Sequence, residues 1–295
     1  MPCRHYLALS EEDRHEPCVT RGVSSQPQYQ RRVREERLFA APSAASVYQA
    51  VYTEGENELH RPVTQLFWSA LGAGIAMGFS FVTEAALSAH LPETSTWPQL
   101  ITKFGYCIGF LLVILGRQQL FTENTITPVL PLFKHCGLAE LRNVARLWAT
   151  VLFANLVGAF CFAAVVHYTQ PMPEIMMERA HTLATHVAEK SFARNLVGGV
   201  FAGWLIASLV WLLPFAGPSR VPMIIIVTYV IGLGSFSHVV AGFVETSYAF
   251  LSGEIGLGHM WFGFFLPTLT GNILGGTALV AAINHGQAAQ PPEEA

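Results

Sequence analysis

Residues 116–128 read GRQQLFTENTITP, and they interrupt one of the longest apolar stretches in the chain. FGYCIGFLLVIL (104–115) precedes them and VLPLF (129–133) follows. In a soluble protein such a segment would be an ordinary turn. The composition excludes that reading: 52% of the 295 residues are hydrophobic and only 13% are charged, against roughly 25% charged in soluble domains. A net charge of −3 with scattered signs offers no basic stripe, so nucleic acid is not expected as a partner. Of the five cysteines, Cys107, Cys136 and Cys161 lie in or beside apolar runs, while Cys3 and Cys18 lie in a polar tail. None has metal-ligand spacing, and reduced thiols are expected.

Working outward from the interruption, six regions are apolar enough to cross a bilayer, which takes about 20 residues each. They are about 64–90, 101–134, 144–168, 194–216, 222–252 and 258–284. Residues 1–43 are expected to form a polar, arginine-rich flexible tail (Arg31, Arg32, Arg34, Arg37) without the apolar core of a cleavable signal. Residues 44–62 are expected to form an amphipathic lead-in helix, 63–285 the six-span channel domain, and 286–295 a second tail. Lysines and arginines cluster in the tail, in the second-to-third loop (Lys134, Arg142, Arg146) and at Arg220, while the first loop holds only Lys103. This asymmetry predicts that both termini are cytoplasmic. Glycines four apart (Gly74/Gly78, Gly105/Gly109, Gly199/Gly203, Gly271/Gly275) predict close helix packing, since no hydrophobic force drives helix association in lipid.

The second and fifth regions are too long for one simple helix. An unpaired backbone group in hydrocarbon costs several kcal/mol, so a break is tolerated only inside protein or beside water. Arg117 and Glu123 must therefore face a cavity, a partner or the membrane surface. The fifth region, MIIIVTYVIGLGSFSHVVAGFVETSYAFL (223–251), repeats the pattern with Gly232, Gly234 and Ser235 ahead of His238, then Glu245. One interrupted span in each three-helix half predicts an inverted 3+3 repeat with a solute site where the breaks meet. The fold class expected is an all-α membrane protein of six transmembrane helices, with the second and fifth broken.

LFTENT (120–125), LWATVLFANLVGAF (147–160), GSFSHVVAGFVE (234–245) and LPTLTGNILGG (266–276) together resemble the formate/nitrite transporter family, over about residues 45–285. The resemblance is to a bacterial inner-membrane branch. It implies an aquaporin-like protomer, a homopentamer with one pore per protomer, a small monovalent anion or its neutral acid as solute, and no cofactor. It also implies a flexible loop at the second-span break carrying Thr122, facing a central histidine at His238, with Leu120 and Phe121 beside the constrictions. Lys190 falls near a vestibule lysine that attracts the anion. Proton linkage through the histidine would follow the family's outline.

Four departures bear on the solute. Gln119 stands where an acidic residue is expected, Ser237 where a glutamate precedes the histidine, and Gly203 and Gly242 where asparagines are expected. Glu123 and Glu245 are candidates to replace part of that function, which opens the alternative of a different neutral or cationic solute, while the four lost polar groups themselves motivate a transport-inactive sensor or scaffold. Arg117 reads as a structural ion pair with Glu123, Glu245 or a neighbouring subunit. Thr122 and Asn124 also suit helix capping. Asn155 and Asn272 read as interhelical glue. A hydrolase built on Ser235 or Ser237 with His238 and Glu245 is disfavoured, because adjacent side chains on a helix point about 100° apart. An ordinary aquaporin is disfavoured too, since no NPA motif occurs.

Overall fold

The computed structural model describes residues 42–92 and 97–288, so the sequence readings for residues 1–41 and 289–295 lie outside the described residues. The described chain is helical, with no strand. Five of its helices are long and apolar enough to cross a membrane: Val63–Ala89, Pro98–Leu115, Leu138–Thr169, Phe192–Phe215 and His259–Gln287. Two shorter apolar helices, Gly217–Leu233 and Val239–Leu251, follow each other between the last two. Large apolar side chains point outward along these helices, among them Trp68, Phe153, Ile226 and Phe262. Continuous outward apolar surface of this kind belongs against lipid.

In lipid the interior is held by close packing and by satisfied polar groups. Val63–Ala89 packs along Leu138–Thr169, and Phe192–Leu212 packs along Leu266–Ile273 within the last span. The four glycine pairs lie on helix contacts. Gly74 faces the backbone of Asn155, and Gly203 faces that of Asn272, where an added Cβ would sit 2.7 Å from the Asn272 Cα. Neither neighbour is a flexible side-chain end. Gly203→Val is therefore expected to force the fourth and last spans apart and to lower the thermal midpoint of the detergent-solubilised protein by several degrees, with little secondary structure lost by circular dichroism.

Both interruptions use one device. The helix Cys107–Leu115 ends where Gln118 N–H bonds the Val113 carbonyl at 3.0 Å and Arg117 N–H bonds that of Ile114 at 3.3 Å, with Arg117 at φ 53°. The helix Arg220–Leu233 ends the same way: Phe236 N–H to the Ile231 carbonyl at 3.0 Å, Ser235 N–H to that of Gly232 at 3.1 Å, and Ser235 at φ 49°. This is the Schellman arrangement, in which a left-handed residue closes the last turn. Glycine usually fills that position. Here Arg117 and Ser235 do, at a cost of roughly 1–2 kcal/mol each, although Gly116 and Gly234 stand one residue earlier. After the first interruption the chain makes a short 3₁₀ turn, Glu123–Thr125, and resumes as Val129–Lys134. After the second it resumes at once as Val239–Leu251.

Candidate functional site

The two interruptions meet. Thr122 Oγ1 and His238 Nε2 lie 2.7 Å apart, and both residues are buried. His238 also caps the helix that follows it: its Nδ1 accepts the Ala241 N–H at 3.2 Å. An acceptor at Nδ1 assigns the ring proton of the neutral imidazole to Nε2, which then donates to Thr122 Oγ1. The ring stands edge-on to Phe110, with centroids 5.0 Å apart. Leu120 and Phe121 are fully buried beside it, and Phe121 packs edge-on to Trp148.

Two asparagines hold the interruptions. Asn155 Oδ1 accepts the Phe121 N–H at 2.9 Å, while its Nδ2 donates to the carbonyls of Gln119 and Ala70. Asn272 does the same for the other interruption. Its Oδ1 accepts the Val239 N–H at 2.8 Å, and its Nδ2 donates to the carbonyls of Ser237 and Gly199. These bonds satisfy backbone groups that leaving the helix would otherwise orphan. The segment for which the resemblance implies a flexible loop is further tied by Gln119 N–H to Ser69 Oγ, Trp148 Nε1 to the Asn124 carbonyl, and Thr277 Oγ1 to the Thr125 carbonyl. Thr122 makes no cap bond to the turn Glu123–Thr125, and the Asn124 side chain bonds Gln119 and Thr127 instead.

A cavity lies on each side of the Thr122–His238 contact. The first, of about 440 Å³, is lined by Glu54, Glu58, Arg61, Arg117, Gln118 and Glu123, and reaches Leu120. Here Arg117 pairs with Glu54 Oε1 at 3.0 Å. Of the partners expected from sequence, neither Glu123 nor Glu245 makes this ion pair: the partner lies on the helix Ala44–Leu59 of the same chain. The arginine is 67% exposed, so Arg117→Gln is expected to change stability by no more than about 1 kcal/mol, read as a thermal midpoint close to wild type. Glu123 Oε1 and Gln118 Oε1 are enclosed and have no hydrogen-bond partner among the described residues.

The second cavity is only about 40 Å³ and reaches His238 itself, among Glu84, Lys103, Tyr106, Lys190, Ser237 and Glu245. Glu123 and Glu245 are thus in different cavities and do not form one site. Glu84 is buried and paired with Lys103. Lys190, just ahead of the fourth span, donates its Nζ to the Ser235 carbonyl at 2.9 Å. Burial holds its ammonium below the usual lysine range, with Glu245 acting against that shift. Wider cavities of about 750 and 350 Å³ adjoin, both lined by His186 and Ser235. The neighbouring histidines are occupied: His181 pairs with Glu254, and His167 bonds Ser252. Among the described residues no His/Cys/Asp/Glu group is arranged to hold a metal ion.

Sequence reasoning missed several residues that the geometry brings in. Phe110, Trp148 and Glu54 are not among the candidate site residues, yet they touch His238, Phe121 and Arg117 respectively. Asn195 gave no signal at all, yet it is fully buried and its Oδ1 accepts the Ser237 hydroxyl at 2.9 Å.

A family model described as "Formate/nitrite transporter" matches residues 45–286. The chain is 35% identical over 254 residues to "Inner membrane protein YfdC" of Escherichia coli, covering 86% of this chain and 81% of that protein. It is 22% identical to "Formate channel FocB" of the same organism, over 76% of this chain and 87% of that one. Among solved structures, "Pentameric formate channel with formate bound" superposes with a TM-score of 0.65 at 18% identity, over 77% of this chain and 98% of the other.

Proposed function

Because the chain belongs to the formate/nitrite transporter family, we propose that a formate- or nitrite-like weak acid crosses it between Thr122 and His238. The protein is a membrane channel or transporter and not an enzyme. Its finer architecture is read as six spans in an inverted 3+3 repeat, with the two interrupted segments as the second and fifth. The matched bonds support this. Ala70, Gly74, Gln119, Phe121 and Asn155 in one half stand to each other as Gly199, Gly203, Ser237, Val239 and Asn272 stand in the other. Leu120 and His238 thereby occupy equivalent apices. One half offers an apolar side chain to the pathway, and the other offers an imidazole. A homopentamer in a bacterial inner membrane, with both termini cytoplasmic, completes the reading.

The observation that carries it is the closed Thr122–His238 contact with a cavity on either side. An anion stripped of water would meet a penalty of several kcal/mol there. The neutral acid avoids most of it. With Nε2–H donated to Thr122, the threonine hydroxyl still has its own proton to give, and no other partner for it is present among the described residues. A carboxylic or nitrous oxygen can take that O–H and then the Nε2–H, so two hydrogen bonds replace water at the narrowest point. Lys190 draws the anion to the His238 side, and proton linkage follows from passage as the acid.

One observation favours a second reading. Among the described residues Glu123 Oε1 and Gln118 Oε1 are acceptors without donors, which suits a neutral or cationic solute that donates hydrogen bonds. Proteoliposome uptake separates the two. Formate and nitrite are expected to enter faster than into empty liposomes, and faster at acidic pH. Uptake confined to ammonium or small neutral amides would favour the second reading, and no uptake of any of them would leave a sensor or scaffold.

A further inference from the structure

The asparagine-held core of the interruptions is matched in the two halves, but the residues one turn away are not. The step that takes Ala70 to Gly199 and Gly74 to Gly203 also takes Leu66 to Asn195. Both are fully buried, one apolar and one an amide. Asn195 is therefore not required by the scaffold that both halves share. In the first half the residue equivalent to Ser237 is Gln119; its backbone N–H is held by Ser69 and its side chain accepts from Asn124, and neither bond comes from the Leu66 position.

What Asn195 does is specific. Its Oδ1 accepts the Ser237 hydroxyl at 2.9 Å, and its Nδ2 donates to the carbonyls of Gly263 at 3.0 Å and Lys190 at 3.3 Å. Lys190 in turn donates its ammonium to the Ser235 carbonyl. The chain from Ser235 to Ser237 closes a ring: Lys190 Nζ to Ser235, Ser237 Oγ to Asn195, and Asn195 Nδ2 back to the Lys190 carbonyl. Ser235 is the left-handed residue of the interruption, and Ser237 immediately precedes His238. We infer that Asn195 is a positioning residue for the pathway, setting His238 through Ser237 and holding the vestibule lysine to the same segment. A plain interhelical tie would be satisfied by the Gly263 bond alone. The bonds to the Ser237 hydroxyl and to the Lys190 carbonyl would then have no purpose. An arriving anion that takes the Lys190 ammonium releases Ser235, and Asn195 keeps the segment in place while it does.

The inference rests on the transport reading for its flux arm, so the test has a second arm that does not. Asn195→Ala, Ser237→Ala and the double variant are compared with wild type in proteoliposomes. Ser237→Ala leaves the Gly263 and Lys190 bonds of Asn195 intact and guards against a variant that simply fails to fold. Ser237→Ala is expected to raise the half-saturating formate concentration about five- to tenfold, as for loss of one buried hydrogen bond, and Asn195→Ala, which also loses the Gly263 and Lys190 bonds, at least as much. The double variant should be no worse than Asn195→Ala, because the two residues act through one contact. Effects that multiply, or a lowered thermal midpoint with unchanged half-saturation, would overturn the inference. In parallel, amide hydrogen exchange of residues 235–238 should quicken about tenfold in both single variants, with residues 117–121 unchanged. Unchanged exchange at 235–238 would overturn it as well. If wild type carries no formate, the transport reading falls and the exchange comparison alone decides on Asn195.

Discussion

Asn272→Leu is expected to destabilise the protein more than any other single change named here. The leucine fills the same space but leaves the Val239 N–H and the Ser237 carbonyl buried without partners. Each such group costs about 1–3 kcal/mol, so the loss is roughly 2–6 kcal/mol. A folded domain holds only about 5–15 kcal/mol in reserve. The Gly199 carbonyl lies inside the helix Phe192–Leu212 and adds little to that sum. Fluorescence-detected size exclusion across a temperature ramp should show the monodisperse peak lost at a much lower temperature than in wild type. Asn155→Leu should behave alike, because it orphans the Phe121 N–H and the Gln119 carbonyl in the same way. If either variant kept the wild-type midpoint, the asparagines would not be what holds the interruptions open.

The membrane class and the family are legible in the residues themselves. Apolar runs of the right length, four glycine pairs and four short motifs all point the same way. The interruptions are legible as well, because GRQQ and GLGS set polar or glycine residues where a continuous span would have none. Their mechanism is not. Glycine is the usual left-handed residue at a helix end, and Gly116 and Gly234 stand close by, yet Arg117 and Ser235 take the turn. The choice depends on which carbonyls the later N–H groups reach, and local propensity does not encode that.

The site divides along the same line. Thr122 and His238 lie 116 positions apart, and what pairs them is tertiary packing between segments far apart in the chain. Arg117 shows the limit most clearly. Its partner Glu54 lies outside the apolar regions, on a helix whose docking brings Gly55 against the Thr127 backbone. Glu123 and Glu245 look alike in sequence, each a carboxylate after an interruption, yet one lines the cavity of Arg117 and the other that of Lys190. Asn195 is the hardest case. It is one amide near the end of an apolar run, and only the comparison of one half with the other marks it as additional.

The second large effect concerns the contact through which a solute is proposed to pass. Thr122→Val keeps the branched shape of the side chain and removes its hydroxyl. His238 Nε2–H then has no acceptor, and the solute loses the first of the two hydrogen bonds that replace its water. Losing a donor at a buried constriction while leaving a neighbour unpaired corresponds to about 1–3 kcal/mol, or about five- to a hundredfold in rate. Shape, burial and the Asn155 bonds to the same segment are retained, so the variant should purify with wild-type stability to within about that amount. Formate uptake by proteoliposomes, wild type beside Thr122→Val at matched protein density, is the direct measurement. The account requires rapid uptake by wild type and a rate at least about fivefold lower in the variant. Equal rates in the two, or no wild-type uptake, would contradict passage between Thr122 and His238.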